Sequence, residues 1–302
     1  MLLRSNVAVD RFNYGISWLE AIKYQHLSRR NRLLSRLAHV WLQILRRYDV
    51  IVVSDTIGMA REASLLEPLV ELRKPVLFYE VFALTGSKYW LDRMPSSAIT
   101  QFDAFLVVSG IHDTPPVEGP PIFEIGMELL ESPTTAKSKP YSVMLDFERP
   151  GYEADRKVQI EAIDELQLSR YSLDHEYTFA EMVREYDKAA VAFLAFPEAF
   201  GVPIAQLQQR GALIAAPHSF WAKRHAQLPT GSVFSEKSAR FTENFIFYRD
   251  ALDLKEKLLA SMSDYRPDVV VKRFHDAQPY FSSGNTEELC RALEYAQDLK
   301  GR

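Results

Sequence analysis

Short apolar runs alternate with segments of helical periodicity along most of the chain. The first four runs occupy 48–55, 76–81, 105–109 and 122–125, and a second series occupies 141–145, 191–194, 213–216 and 245–248. Continuous runs of this kind are typical of strands that are buried on both faces of a parallel sheet. The pattern therefore predicts two series of mainly buried strands.

Segments with apolar residues at helical spacing lie between or after these runs, at 58–72, 151–166, 178–188, 202–209, 252–263 and 287–299. Alternating strands and helices predict β-α-β units and hence an α/β fold with parallel sheets. A proline-rich stretch at 110–140 contains a polar segment at 134–138, which is typical of a linker. We therefore predict two Rossmann-like domains, a shortened one at 1–135 and a second at 136–302.

The composition excludes several classes of protein. With a formal net charge of -4, the chain lacks the basic surface that a dedicated nucleic-acid binder needs. A single cysteine, Cys290, excludes an internal disulfide and a cysteine-based metal site. The N-terminus lacks a signal-peptide pattern, and the chain has no apolar run of about 20 residues. We expect a cytoplasmic protein.

One segment combines a strand end, a turn and a helix start. Residues 196–204 follow the apolar run at 191–194, turn at Pro197 and Gly201, and lead into the helix predicted from residue 202. Ligands of doubly wound sheets bind outside the carboxyl ends of the strands, where helix N-termini favour phosphate. Glu198 lies just before the helix start. Such an acid either caps the helix or faces a ligand.

The stretch from Phe196 to Pro217, which reads FPEAFGVPIAQLQQRGALIAAP, resembles the signature of family-4 GT-B glycosyltransferases. In that signature, Pro-Glu-x-Phe-Gly precedes a second glutamate, a helix of small residues, a glycine and an apolar strand. Glu198 matches the first glutamate, and Gln206 occupies the position of the second, eight residues later. The resemblance implies a GT-B fold: two Rossmann-like domains with a cleft between them.

The resemblance also implies roles for the donor-binding residues. Glu198 would bind hydroxyls of the donor sugar and stabilise positive charge as the glycosidic bond loosens. Gln206 would contact the ribose with an acceptor oxygen but without charge, and Phe200 and Gly201 belong to the same motif. The family places an arginine and a lysine after the first strand of this domain. The corresponding residues here are Arg149 and Lys157. They either bind the diphosphate as cations or are solvated charges at a helix start.

The first domain contains four candidates for the acceptor side: Gly15, Glu80, Ser109 and His112. Glu80 ends a strand where the family often carries a histidine, and it either orients an acceptor hydroxyl or reaches solvent. Ser109 ends a strand near the family's acceptor cleft, and His112 either lines that cleft or is surface. Gly15 is the one candidate for the family's acceptor loop.

Two further clusters either touch the ligand or lie on the surface. His218, Ser219, Trp221 and Lys223 follow the strand predicted at 213–216 and would contact the nucleotide or the sugar, and His175, Glu176 and Tyr177 are spaced like loop residues near a base pocket.

Residues 21–48 contain seven Lys and Arg residues and no acid, with apolar residues on one helical face. This pattern indicates either a helix that lies on an anionic membrane surface or one that packs its apolar face on the first-domain sheet. The same charges would also suit a cleft for an anionic acceptor. In the first case the protein would be peripheral on the inner face of the membrane.

The sequence leads to one primary hypothesis. We expect a retaining glycosyltransferase that uses a nucleoside-diphosphate sugar, without a metal or other cofactor, on an unknown glycan, lipid or protein acceptor. Reaction would take place in the cleft after the domains close. The first alternative is an inactive GT-B relative that acts as a scaffold or regulatory partner, which Gln206 and the short first domain favour. A nucleotide-sugar epimerase is a third possibility.

Overall fold

The computed structural model describes residues 43–53, 72–80, 102–111, 119–129, 139–198, 201–218, 220, 223–235, 237, 239–281 and 283–300. These residues belong to two compact units. The first unit comprises 1–127, 229–234 and 284–302, and the second comprises 128–228 and 235–283. The predicted helix at 58–72, apart from Leu72, and most of the basic segment at 21–48 lie outside the described residues.

In the second unit most strands alternate with helices, as the sequence predicts, and the described residues of both units together contain nine strands. They are β1 (Ile51–Val53), β2 (Val76–Glu80), β3 (Ala104–Val107), β4 (Ile122–Glu124), β5 (Val143–Leu145), β6 (Arg170–Ser172), β7 (Val191–Phe193), β8 (Leu213–Pro217) and β9 (Phe245–Tyr248). The helices are α1 (Glu153–Glu165), α2 (Phe179–Lys188), α3 (Val202–Gln209), α4 (Ala251–Asp264), α5 (Pro267–Ala277) and α6 (Thr286–Lys300). Two short 3₁₀ helices lie at Lys223–His225 and Pro279–Phe281.

The first unit contains a parallel sheet in the order β1-β2-β3-β4. Its core combines Leu77, Leu106 and Phe123 of the strands with Leu289 and Ala292 of α6. The C-terminal helix α6 therefore belongs to the first unit, whereas the sequence-based boundary near residue 135 assigns it to the second domain. Periodicity cannot reveal such a return, because an amphipathic helix can bury its apolar face on either sheet.

The second unit contains a five-stranded parallel sheet in the order β6-β5-β7-β8-β9. Alternate strand residues point to opposite faces, and each face carries its own apolar core. One core includes Val143, Val191, Ile163, Leu254 and Leu258, and the other includes Met144, Ala192, Tyr186, Ile204 and Leu207. Burial on both faces explains why β5, β7 and β8 are continuous apolar runs in the sequence.

Two elements were missed by the sequence pattern. Strand β6 has the sequence Arg-Tyr-Ser and only its tyrosine is half-buried, so it lacks an apolar run. Helix α5 begins at Pro267, a residue that suits the first turn of a helix, but its three consecutive valines favour a strand by propensity. Its Val270, Val271 and Phe274 are buried, so tertiary packing overrides that propensity.

Candidate functional site

The strand order of the second unit creates a topological switch point between β5 and β7. The chain leaves β5, forms α1 and pairs β6 on one side of β5, and then returns to pair β7 on the other side. The ladder continues past the strand ends, where the N–H of Asp146 donates to the carbonyl of Phe193 at 3.1 Å. Ligands of doubly wound sheets bind in the crevice at such a point. We name the carboxyl ends of β5 and β7, with the residues that follow them, the switch-point site.

Glu198 lies at this site, five residues beyond the end of β7 and half-buried. Burial raises the pKa of its carboxyl group to about 7, because desolvation disfavours the charged form. The negative charge of Asp146 adds to this rise, and the Arg149 guanidinium opposes it. A carboxyl group that titrates near neutrality at a ligand-binding edge is a candidate for a functional residue.

Asp146 is a second carboxylate at the same site, and it was missed by the sequence-based assignment. It directly follows β5 and is half-buried. Burial raises the pKa of its carboxyl group, while the N–H of Phe147, which donates to Oδ1 at 2.8 Å, lowers it. The signal in the sequence was its position, since the first polar residue after a buried strand faces the ligand edge.

Arg149 supplies a positive charge at the switch-point site. Its guanidinium carbon lies 4.5 Å from the centre of the Phe196 ring, so the loops after β5 and β7 meet here. The same guanidinium lowers the pKa of both Asp146 and Glu198. Arg149 is therefore one of the sequence-based candidates that the structure brings together with Glu198.

The two basic residues at the start of α1 have different environments. Lys157 is exposed on the helix surface. Arg156 is only 8% exposed, and its Nη2 donates to the carbonyl of Asp146 at 2.6 Å. Sequence spacing does not show which of these two side chains is buried, because the direction of each depends on how α1 packs on the sheet.

Helix α3 begins directly after the Glu198 segment. Gly201 caps it with a φ of 78°, in the left-handed region that glycine adopts most easily. Gln206 lies half-buried on α3, and its backbone carbonyl accepts from Arg210 Nη1 at 3.2 Å. Phe200 lies outside the described residues. The α3 N-terminus thus opens towards the carboxyl edge of the sheet, where its N–H groups suit an anion.

Tyr186 is a further group that the sequence-based assignment missed. It is buried on α2, and desolvation followed by the charges of Asp146 and Glu198 raises the pKa of its hydroxyl. The phenol therefore remains neutral and lies within electrostatic reach of both acids. Asp146 and Glu198 are thus both influenced by Arg149, from the loop after β5, and both influence Tyr186 of α2.

The loop after β6 carries an aromatic cluster next to β5. The rings of His175 and Tyr177 stack with their centres 3.9 Å apart, and Phe147 meets Tyr177 edge-on at 6.1 Å. Asp174 Oδ1 lies 2.7 Å from His175 Nδ1. Among the other loop candidates, His218 is exposed after β8, and its backbone N–H donates to the carbonyl of Tyr248.

The acceptor-side candidates belong to the first unit. Ser109 is buried after β3, and its Oγ accepts from the N–H of Ile111 at 3.4 Å. The backbone of Glu80 pairs with Val107, but its side chain lies outside the described part of the structure. Gly15 and His112 also lie outside it. Their roles stay predictions.

Within the described ranges, no group of three or more His, Cys, Asp or Glu side chains is arranged to hold a metal ion. In the same part of the chain, each helix is too short or too polar to cross a membrane.

No protein-family model and no curated protein sequence matches this chain. Solved structures do match. A glycosyltransferase from Rickettsia africae superimposes with a TM-score of 0.54 at 11% identity, over 99% of this chain and 86% of its own. Starch synthase IV from Arabidopsis thaliana, bound to ADP and acarbose, superimposes with a TM-score of 0.52 at 11% identity, over 97% of this chain and 79% of its own. HepE from Anabaena, in complex with UDP and glucose, superimposes with a TM-score of 0.51 at 11% identity, over 92% of this chain and 84% of its own.

The fold is GT-B. The GT-B fold accounts for both parallel sheets, and the C-terminal helix α6 completes the core of the first of its two Rossmann-like units. At 11% identity these likenesses establish the fold alone, because one fold hosts many functions. The function must therefore be argued from the switch-point site.

Proposed function

We propose that this protein is a glycosyltransferase that moves a sugar, with retention of configuration, from a nucleoside-diphosphate sugar to an acceptor. The proposal is carried by one observation: Glu198, Asp146 and Arg149 meet at the switch point of the second unit. It is supported by a GT-B fold shared with proteins solved with UDP and glucose and with ADP and acarbose.

The charges at the site suit the two ends of such a donor. A diphosphate needs cations or N–H groups, and Arg149 and the α3 N-terminus supply both without a metal. Lys157, which is exposed on α1, would approach the diphosphate from the helix surface. A sugar bound beside this anchor meets Glu198 and Asp146.

The two acids suit the chemistry of glycosyl transfer. Positive charge develops on the sugar as the bond to the diphosphate loosens, and a nearby carboxylate stabilises that charge. The amide oxygen of Gln206 accepts a hydrogen bond from a ribose hydroxyl but has no charge, so it holds the ribose less tightly than a glutamate would. The aromatic cluster of Phe147, His175 and Tyr177 offers ring faces beside the site for a base.

Calorimetry with UDP-glucose and ADP-glucose tests the proposal. We expect the wild type to bind at least one of them and Glu198→Ala to bind it at least tenfold more weakly, since one lost hydrogen bond to a charged or polarised group is worth about 1.5–3 kcal/mol. Glu161→Ala is the matched control, because Glu161 is exposed on α1 and faces solvent. Equal affinity in Glu198→Ala, or no binding by the wild type at millimolar donor, contradicts the proposed function.

Turnover is measured separately by release of nucleoside diphosphate from the bound donor. We expect slow release with water in the place of the acceptor, and we expect Glu198→Ala to reduce it. Donor binding without any release, with a panel of acceptors present, would refute transfer and support a binding protein instead.

A further inference from the structure

Two polar side chains are buried on the face of α1 that packs on the sheet of the second unit. Gln159 has no exposed surface and Arg156 is 8% exposed, whereas the other buried residues of α1 are the apolar Ala162 and Ile163. Residues three and four apart in a helix share a face, so all four side chains lie on the same side of α1. Arginine and glutamine mostly lie at protein surfaces, and a buried arginine is almost always paired with polar groups. The partners of Arg156 and Gln159 therefore show what α1 contributes besides packing.

Each of these two side chains donates to the first carbonyl beyond one of the switch-point strands. Arg156 Nη2 donates to the carbonyl of Asp146, directly after β5, at 2.6 Å. Gln159 Nε2 donates to the carbonyl of Leu194, directly after β7, at 3.0 Å. The two strands pair in register and end at the same level of the ladder, so these carbonyls occupy equivalent positions. Helix α1 thus bonds to the ends of both strands.

A proline explains why the carbonyl after β7 needs a donor from α1. In the ladder between β7 and β8, the N–H of Leu213 donates to the carbonyl of Ala190 at 2.9 Å, and further donors follow at every second residue. By that step the carbonyl of Leu194 would accept from residue 217, which is Pro217 and has no N–H. The side-chain amide of Gln159 provides the N–H that the strand lacks.

This arrangement carries a cost in stability. Among the described residues, Arg156 Nη1 and Gln159 Oε1 are buried without a hydrogen-bond partner. Such atoms destabilise a fold, because they lose their hydrogen bonds to water. Apolar side chains of similar length would pack the same face of α1 without that cost. The burial of Arg156 and Gln159 is therefore better explained by the two carbonyls that they bind at the ligand edge.

The loops that begin at these carbonyls carry the charged residues of the proposed donor site. Arg149 lies three residues beyond Asp146, and Glu198 lies four residues beyond Leu194. The two loops meet where the Arg149 guanidinium carbon lies 4.5 Å from the centre of the Phe196 ring. Because so few residues separate each carbonyl from its charged group, a shift of either carbonyl displaces part of the switch-point site.

We propose that Arg156 and Gln159 are positioning residues of the donor site, which hold the starts of the loops carrying Arg149 and Glu198 in place before a donor binds. Both act through backbone carbonyls and not by touching the donor. Groups that are fixed in advance need no ordering when the ligand arrives, and they keep reacting groups in a productive geometry. This inference rests on the proposed function.

Methionine variants test the two residues, because methionine has a similar length and cannot donate. In Gln159→Met and Arg156→Met, release of nucleoside diphosphate at saturating UDP-glucose or ADP-glucose should be roughly 10- to 100-fold slower, the loss expected when reacting groups are misplaced by about 1 Å. Ile163→Val is the matched control, since it removes one methylene from the same buried face of α1. It should lower the midpoint of urea unfolding and leave release unchanged.

The conservative variant is Arg156→Lys, which keeps a charged donor on a flexible stem. We expect its rate of release to lie between those of the wild type and Arg156→Met. Equal rates in Arg156→Lys and Arg156→Met would overturn the role of Arg156, because the donated bond would then have no part in release. Gln159→Leu replaces Gln159→Met if the latter does not fold, since it also removes both N–H donors of the side-chain amide.

Amide hydrogen exchange, followed by mass spectrometry without any donor, provides the second readout. Peptides that cover 146–149 and 194–198 should exchange roughly fivefold faster in the methionine variants, as expected for one lost hydrogen bond, whereas a peptide from α6 should not change. Unchanged exchange in both variants overturns the inference. Faster exchange with release no slower than in Ile163→Val also overturns it. Absence of donor binding by the wild type instead defeats the proposed function, while exchange still decides whether Arg156 and Gln159 hold the loops.

Discussion

Substitution of Gly201 tests how closely the chain is packed at the start of α3. The residue has a φ of 78°, and a Cβ built on it would lie 2.6 Å from Ile204 Cδ1 and 2.9 Å from Cγ1. Ile204 is fully buried in the core between α3 and the sheet. Gly201→Ala therefore meets two penalties, one from backbone conformation and one from overpacking.

The magnitude follows from these two terms. Holding an L-residue in the left-handed region costs about 1–2 kcal/mol. Forcing an extra methyl group into a packed core costs about 1–3 kcal/mol more, because Ile204 must move. We expect Gly201→Ala to lower the free energy of unfolding by about 3 kcal/mol. Donor affinity should fall as well, since the loop that carries Glu198 must shift.

Gly151 provides a matched control within the same unit. Its φ is 92°, but a Cβ there meets nothing within 4 Å, so Gly151→Ala carries the conformational penalty alone. Urea unfolding followed by far-UV circular dichroism should show a loss of about 1 kcal/mol for Gly151→Ala. Equal losses in the two variants would refute the reasoning, because the contact with Ile204 would then contribute nothing.

Two further predictions concern the charges of the switch-point site. Glu198 has a folded-state pKa of about 7, above its ordinary 4.5, so it binds its proton more tightly when folded and its contribution to stability falls as pH rises through this window. As the pH rises from 5 to 8, the free energy of unfolding of Glu198→Gln, measured with urea, should therefore increase by about 2–3 kcal/mol relative to that of the wild type. A difference between the two proteins that does not change with pH would contradict this. Arg149→Ala should weaken UDP-glucose binding about tenfold in calorimetry, the loss expected for one charge-assisted hydrogen bond, with Lys272→Ala on the exposed side of α5 as control. Unchanged affinity in Arg149→Ala, or in Lys157→Ala, would remove that residue from the donor site.

Much of the architecture was predictable from local pattern. Strands buried on both faces have to be apolar throughout, so β5, β7 and β8 were visible as uninterrupted runs. Helix α2 was equally clear, since Thr178 and Glu181 form a capping box at its start. These signals depend on residues close together in the chain, and a single sequence contains all of them.

The switch-point site was predictable in part. Glu198 stands in a distinctive motif and Arg149 follows a strand, so both were assigned from the sequence. Asp146 was missed because no motif marks it, and its importance depends on β7 lying beside β5. Arg156 was not among the candidates assigned from the sequence, because only the packing of α1 shows that its side chain is buried whereas that of Lys157 is exposed.

The sequence by itself determined the α/β pattern, the parallel sheets and the acid before α3, because hydrophobic periodicity and turn chemistry are local properties. Tertiary structure decided which strands are neighbours, which unit receives α6, and which charges Glu198 meets. Strand order and burial arise from contacts between residues far apart in the chain. The pKa of Glu198 depends on such contacts, since its carboxyl group is desolvated and comes near the charge of Asp146 only in the folded chain.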